Sequence, residues 1–300
     1  MGGKLHRIYF KRQAEMEIKR SAELDLSITH YRTYLSDVID EMVDVPIYIK
    51  KQLKSALNDM IDEYINTGLP PKTISLDKNK KLDDKVMIII AALRQNIKLY
   101  IQKKLSDDIY SISSGATGIE YSNKDRVSSM TSFINEEIDG KTILDRVDTY
   151  TNNFKYEAEA FIVAGLANEI SKSQITNEYD KNSNNPYKSE LLKEAIRSNE
   201  FEARNIKSNG VSYGNGISAS SLIALTLVGQ DTEFRFYNKT LRDAWLLDGN
   251  IQGWISVRNS IFPCQLCDSQ AYVLHPMSEL FQAWHRRCVC LCVPITKNMI

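Results

Sequence analysis

The chain has 300 residues, of which 43% are hydrophobic and 25% are charged, a composition that excludes a largely disordered protein. Its 38 basic residues equal its 38 acidic ones, which argues mildly against a dedicated DNA-binding protein. The longest apolar run, Val86 to Leu93, is too short to cross a bilayer. The first residues lack the apolar stretch of a secretory signal. We therefore expect a protein of about two domains that stays in the cytoplasm or in a particle assembled there.

The first part of the chain predicts long helices. Apolar residues at three- and four-residue spacing between residues 12 and 66 mark one helical face. The segment Gly68–Pro71, which contains two prolines, predicts the end of that helix. A second helix is expected over residues 82–106, where apolar residues again form a stripe. The serine- and glycine-rich segment 111–124 predicts a loop.

The second part changes from helical to strand-like patterns. Helices are predicted over residues 141–170, 190–208 and 218–247. The polar segment 176–189 predicts a loop or linker. From Gln252 the pattern becomes a series of short strand-like pieces that ends in the run 288–295. We therefore predict an α+β fold that is predominantly α-helical, with a small cysteine-rich, β-containing C-terminal subdomain.

The cysteines are concentrated near the end of the chain. All five lie between Cys264 and Cys292, and an odd number in so short a stretch is a poor disulfide framework. With one histidine they give the spacing Cys-x2-Cys-x17-His-x2-Cys. Two close ligand pairs separated by a loop can build a tetrahedral zinc site that staples a small segment. The ligands in this hypothesis are Cys264, Cys267, His285 and Cys288, with Cys290 as a substitute for either of the last two.

The same cysteines have a second interpretation, as small buried apolar residues. Cys288, Cys290 and Cys292 alternate along the chain, so on a strand all three would share one face, as core residues do. The sequence leaves both interpretations open.

Catalytic interpretations of the cysteine motif find less support. The run from Pro263 to Cys267 has the Pro-Cys-x2-Cys spacing of zinc deaminases, but those enzymes need an upstream His-x-Glu. His6 and His30 are not followed by a glutamate at that spacing. A zinc enzyme would also keep one metal position open for water beside a general base, and the motif offers no clear base. We therefore predict no catalytic residue, no enzyme activity and no small-molecule substrate.

Three stretches of the second half occur in an order that is typical of one protein family. They are Gly140–Val147, Thr232–Tyr237 and a tail made of Pro263–Ser269, Trp284–Cys290 and Val293–Ile295. Their sequences, order and approximate spacing resemble a helix start, a central helix and the closing motif of minor head proteins of the phage Mu-type head-morphogenesis family. Arg286 stands where the family has a proline, and Asp231 stands where it has an arginine.

The resemblance covers residues 140–300, which we expect to form a minor-head-protein-like domain. Residues 1–139 carry no motif of the family and are predicted to be an N-terminal helical region that makes assembly contacts. The resemblance implies a structural minor head (capsid) protein of a tailed phage that enters the head near the portal and aids DNA packaging or ejection. Its implied partners are portal and capsid proteins. Its implied location is the virion, after assembly in the host cytoplasm.

A nucleic-acid-binding module stapled by zinc is the alternative function. In this alternative, Arg286 and Arg287 lie on the stapled turn and contact the phosphates of double-stranded DNA. Such contacts do not depend on base sequence and weaken with salt.

Overall fold

The computed structural model describes residues 21–138, 140–198, 220–279, 281, 283 and 288–299. The helices among them are α1 (Ala22–Asn66), α2 (Lys80–Lys103), α3 (Tyr110–Thr117), α4 (Asn123–Ile134), α5 (Ile143–Ala167), α6 (Lys172–Asn182), α7 (Glu190–Ser198), α8 (Ser221–Trp245) and α9 (Gln265–Gln270). A π-helical segment, Lys104–Ile109, joins α2 to α3. The strands are β1 (Ile251–Val257), β2 (His275–Pro276) and β3 (Leu291–Thr296).

The three strands form an antiparallel sheet in the order β2-β1-β3. The fold is α+β, predominantly α-helical, with a small sheet near the C-terminus, as the sequence predicts. No helix in the described part of the chain is long and apolar enough to cross a membrane.

The chain forms two compact units that are each discontinuous in sequence. Of the described residues, those in the ranges 1–42, 103–133 and 230–300 form the first unit, and those in the ranges 43–102 and 134–229 form the second. Each unit contains segments from both sides of residue 139, and the boundary expected between residues 139 and 140 stays a prediction.

In the second unit, α5 is the central buried element and its start has a clear local cause. The Thr142 side chain accepts a hydrogen bond from the Asp145 backbone N–H, and the Asp145 side chain accepts one from the Thr142 backbone N–H. This capping box satisfies backbone donors that have no partner within the helix. The apolar residues of α5 then fill the core of the unit, with Val147, Phe154 and Phe161 fully buried.

Two charged residues of α5 are also buried, and each has a partner. Lys155 donates a hydrogen bond of 2.9 Å to Asp83 on α2. Glu157 is fully buried and accepts a 3.0 Å hydrogen bond from the backbone N–H of Ser221, the first residue of α8. A buried carboxyl at this place satisfies an N-terminal donor of α8 and interacts favourably with the positive end of the helix dipole.

In the first unit, aromatic residues and one polar pair join the helices. The indole N–H of Trp245 donates a 2.9 Å hydrogen bond to the hydroxyl of Tyr31, and the two rings pack edge to face. On the same helix α8, Thr240 donates a 2.6 Å hydrogen bond to Ser113 of α3. These buried polar groups are therefore satisfied within the unit.

Two predicted loops are wrong. Within 111–124, residues up to Thr117 are helical (α3), because Ser113 is buried and bonds back to the Ile109 carbonyl instead of breaking the helix. Within 176–189, the polar chain continues a helix, α6, up to Asn182. Helix α6 starts from a Ser171–Gln174 capping box, and its buried residues include Tyr179. Tertiary burial of a few residues thus overrides a polar composition that favours loops.

Candidate metal centre

The first part of the cysteine motif is a turn that leads into the short helix α9. Cys264 precedes α9 with an extended backbone (φ −152°), and its carbonyl accepts a 2.9 Å hydrogen bond from the Asp268 N–H. Cys267 lies within α9 and is buried. A Cys-x2-Cys pair therefore sits on one tight turn, as the metal hypothesis requires.

The second part of the motif lies just before β3. The strand expected over 288–295 in fact starts at Leu291, so Cys288 and Cys290 lie in the segment without regular secondary structure just before it. Leu291 pairs with Val257, the last residue of β1. The sheet thereby fixes where the second cysteine segment approaches the turn that follows β1.

Three cysteines meet in a buried cluster. Among the described residues, the Sγ atoms of Cys267, Cys288 and Cys290 all lie within 4.8 Å of one another. The Sγ atoms of Cys267 and Cys288 are 4.0 Å apart, well beyond a disulfide bond of about 2.05 Å, and the cysteines are free thiols. This cluster could hold a metal ion.

Burial and neighbouring thiols raise the pKa values of two of the three thiols, Cys267 and Cys290. Burial, followed by the hydrogen bond with Cys264, raises the pKa of the Cys267 thiol to about 12. The hydrogen bond with Cys288, followed by burial, raises the pKa of Cys290 strongly. Thiolate is the form that binds metals, so binding of a cation here would displace protons from these sulfurs.

The other two cysteines are placed differently. Cys264 is only partly buried, and its sulfur is outside the group of three. Cys292 lies on β3 and is fully buried, and burial raises its pKa well above the ordinary value. Burial raises the pKa values of Tyr31 and Tyr237, and Cys292 makes a smaller contribution to both. Cys292 is thus placed as a buried core residue, as in the second interpretation of the cysteines.

Three residues named from the sequence lie outside the described residues: His285, Arg286 and Arg287. The described histidine closest to them in sequence, His275, has other contacts. Its Nδ1 lies 2.9 Å from the Glu279 carboxylate and its ring stacks on Trp254 at 4.2 Å.

Arg258 is a residue of the site that the sequence does not predict. Its guanidinium donates to the carbonyls of Cys264 (3.2 Å), Ser260 (3.1 Å) and Phe262, and to the Asp268 carboxylate (2.5 Å). Most of these partners are backbone carbonyls, which any residue type would provide. A lone arginine after a strand-like run therefore carried no signal in the sequence.

Comparison of the chain with protein-family models, with curated proteins and with solved structures finds no match.

Proposed function

We propose that this chain is a structural minor head protein of a tailed phage, and not an enzyme. In this role it enters the head during assembly in the host cytoplasm, contacts portal and capsid proteins, and aids DNA packaging or ejection. The proposal rests on the resemblance of three ordered motifs in residues 140–300 to the phage Mu-type head-morphogenesis family.

The observation that carries the proposal is that cysteines from the two parts of the closing motif lie together in one cluster. Cys267 comes from the first part, and Cys288 and Cys290 come from the second part, yet their sulfur atoms form one cluster. Residues 21 positions apart have no local reason to meet. Their meeting supports a motif that acts as one structural unit, as the resemblance implies.

Zinc is the metal that we propose for this cluster. Tetrahedral zinc with bonds of about 2.3 Å to sulfur places neighbouring sulfurs about 3.8 Å apart, close to the 4.0 Å between Cys267 and Cys288. A set rich in thiolates favours zinc among divalent ions with closed structural sites. Cys267, Cys288 and Cys290 would hold the ion, which would join α9 to the entry of β3. Such a staple stabilises a sheet that is too small to stabilise itself by apolar burial alone.

The loop beside the cluster offers a surface for protein contacts. Ile261 is 97% exposed and Phe262 is 77% exposed, and Arg258 holds the backbone of this loop. Two adjacent, exposed, large apolar side chains on a fixed loop favour contact with another protein. In the proposed role that protein is a component of the head.

The proposed function is tested on phage particles purified from an induced culture of the source. Quantitative mass spectrometry of particles banded twice in a density gradient should detect the chain at a constant, low copy number relative to the major capsid protein. The matched control is the same gradient fraction from a strain in which the gene is deleted. Absence of the chain from particles that contain portal and capsid proteins would contradict the proposal.

A further inference from the structure

We propose that Cys264 is the fourth ligand of the metal centre, and that Arg258 is the residue that positions it. The site would then be an all-sulfur set, consisting of Cys264, Cys267, Cys288 and Cys290. This inference rests on the metal centre of the proposed function, and it deepens that proposal by choosing Cys264 over His285.

Cys264 is the cysteine best placed to complete the group of three. It stands on the same turn as Cys267, at the position that precedes α9, three residues before Cys267. It is only partly buried, and in the proposed site a rotation about its Cα–Cβ bond would bring its sulfur to the ion. Its backbone is held in an extended conformation by hydrogen bonds to its carbonyl.

Arg258 ties together the backbone on both sides of Cys264. Its guanidinium bonds the carbonyls of Ser260 and Phe262 before Cys264, the carbonyl of Cys264 itself, and the Asp268 carboxylate after it. Ordering this many acceptors needs several donors in one rigid plane, which arginine has and lysine lacks. One side chain therefore sets the conformation of the whole turn that carries Cys264 and Cys267.

The sheet places Arg258 at the entrance of the second cysteine segment as well. Arg258 directly follows Val257, which pairs with Leu291, and Leu291 directly follows Cys290. The arginine thus extends from the end of the sheet where the two cysteine segments meet. Its positive charge would also offset part of the negative charge of four thiolates around a divalent ion. Residues that orient metal ligands in this way commonly raise metal affinity by about 10- to 100-fold.

The experiment is cobalt(II) binding to the full-length reduced protein, followed by absorption. Tetrahedral cobalt shows sulfur-to-metal charge-transfer bands whose intensity rises with the number of thiolate ligands, and competition with a chelator gives the affinity. The variants are Cys264→Ala, His285→Asn, Arg258→Met and Asp268→Asn, with Cys292→Ala as a cysteine control. Circular dichroism establishes that each variant is folded.

Cys264→Ala should lower the charge-transfer intensity by about one quarter, since one of four thiolates is lost, while His285→Asn and Cys292→Ala keep the wild-type spectrum. Arg258→Met should keep the four-thiolate spectrum but weaken binding about 10-fold or more. Asp268→Asn, at an exposed position, should weaken binding less and serves if Arg258→Met does not fold.

Three results would overturn the inference. A wild-type spectrum for Cys264→Ala would remove Cys264 from the ligand set. Loss of intensity in His285→Asn would restore the histidine as a ligand. Unchanged cobalt affinity in both Arg258→Met and Asp268→Asn would show that Arg258 does not position the site. None of these results bears on whether the chain is found in phage heads, which the particle experiment decides.

Discussion

The carboxyl group of Glu157 accepts a 3.0 Å hydrogen bond from the backbone N–H of Ser221 in a fully buried position. Burial, more than any other cause, raises the pKa of Glu157 from 4.5 to about 7, although the hydrogen bond from the Ser221 N–H opposes the rise. The start of α8 is therefore held by an acid that becomes costly to ionise within the folded protein.

Replacing Glu157 by glutamine should change how stability depends on pH. In the wild type, the unfolded carboxyl loses its proton near pH 4.5, but the folded one keeps it until about pH 7. The contribution of Glu157 to the free energy of unfolding is thus fully present below pH 4.5 and falls as the pH rises toward 7. Above pH 7 this contribution is constant. Glu157→Gln removes this fall and should be more stable at pH 8 by up to about 3 kcal/mol. Urea unfolding between pH 4 and 8 measures the difference.

The matched control for this experiment is Glu120→Gln. Glu120 is exposed, so its amide variant should keep the wild-type pH dependence. If Glu157→Gln lost stability between pH 4.5 and 7 as steeply as the wild type, the raised pKa of Glu157 would be wrong.

Gly253 allows β1 and β2 to approach each other. It pairs with Pro276, and a Cβ at position 253 would overlap the backbone carbonyl oxygen of His275 and lie 2.9 Å from a Leu274 methyl group. Since a backbone atom cannot rotate away, Gly253→Ala should lower the free energy of unfolding by about 1–3 kcal/mol. Gly249→Ala is the control, because a Cβ there meets nothing within 4 Å. Equal thermal stability of the two variants would contradict this account of the sheet.

The Tyr31 hydroxyl is the acceptor for a buried indole N–H. Tyr31→Phe should lower the free energy of unfolding by about 1–3 kcal/mol, because Trp245 would keep a buried donor without an acceptor. Tyr48→Phe is a milder change, since the Tyr48 hydroxyl donates to an exposed Asn96 carbonyl. Chemical denaturation of both variants should show the larger loss of unfolding free energy for Tyr31→Phe. An equal loss in the two variants would mean that the hydrogen bond from Trp245 adds nothing to stability.

Much of the helical fold follows from local sequence signals. The end of α1 at Asn66 agrees with the prediction from Gly68 and the two prolines, and Gly68 takes a positive φ of 62°. The helix α3 could not be predicted in the same way. Its serine- and glycine-rich sequence favours a loop, whereas the burial of Tyr110, Ser113 and Ala116 and the bond between Ser113 and Thr240 of α8 favour the helix.

The site was predictable only where spacing along the chain determines geometry. The pair Cys264 and Cys267 could be read from a two-residue gap, since such a gap places both on one turn. Which of the later cysteines joins Cys267 depends on where β3 begins. That start is set by the pairing of β3 with β1, a contact between segments far apart in sequence. The sequence predicts a strand from Cys288, whereas the pairing starts at Leu291 and leaves Cys288 and Cys290 ahead of it.

The measurement that most directly tests the metal staple is the zinc content of the full-length protein, by native mass spectrometry and elemental analysis. The account predicts one zinc ion per chain in the wild type and in Cys292→Ala, whose thiol is buried outside the cluster. It predicts no zinc, and a lower thermal stability that added chelator does not lower further, in Cys267→Ala. A wild-type protein without zinc that is as stable with chelator as without it would contradict the metal centre.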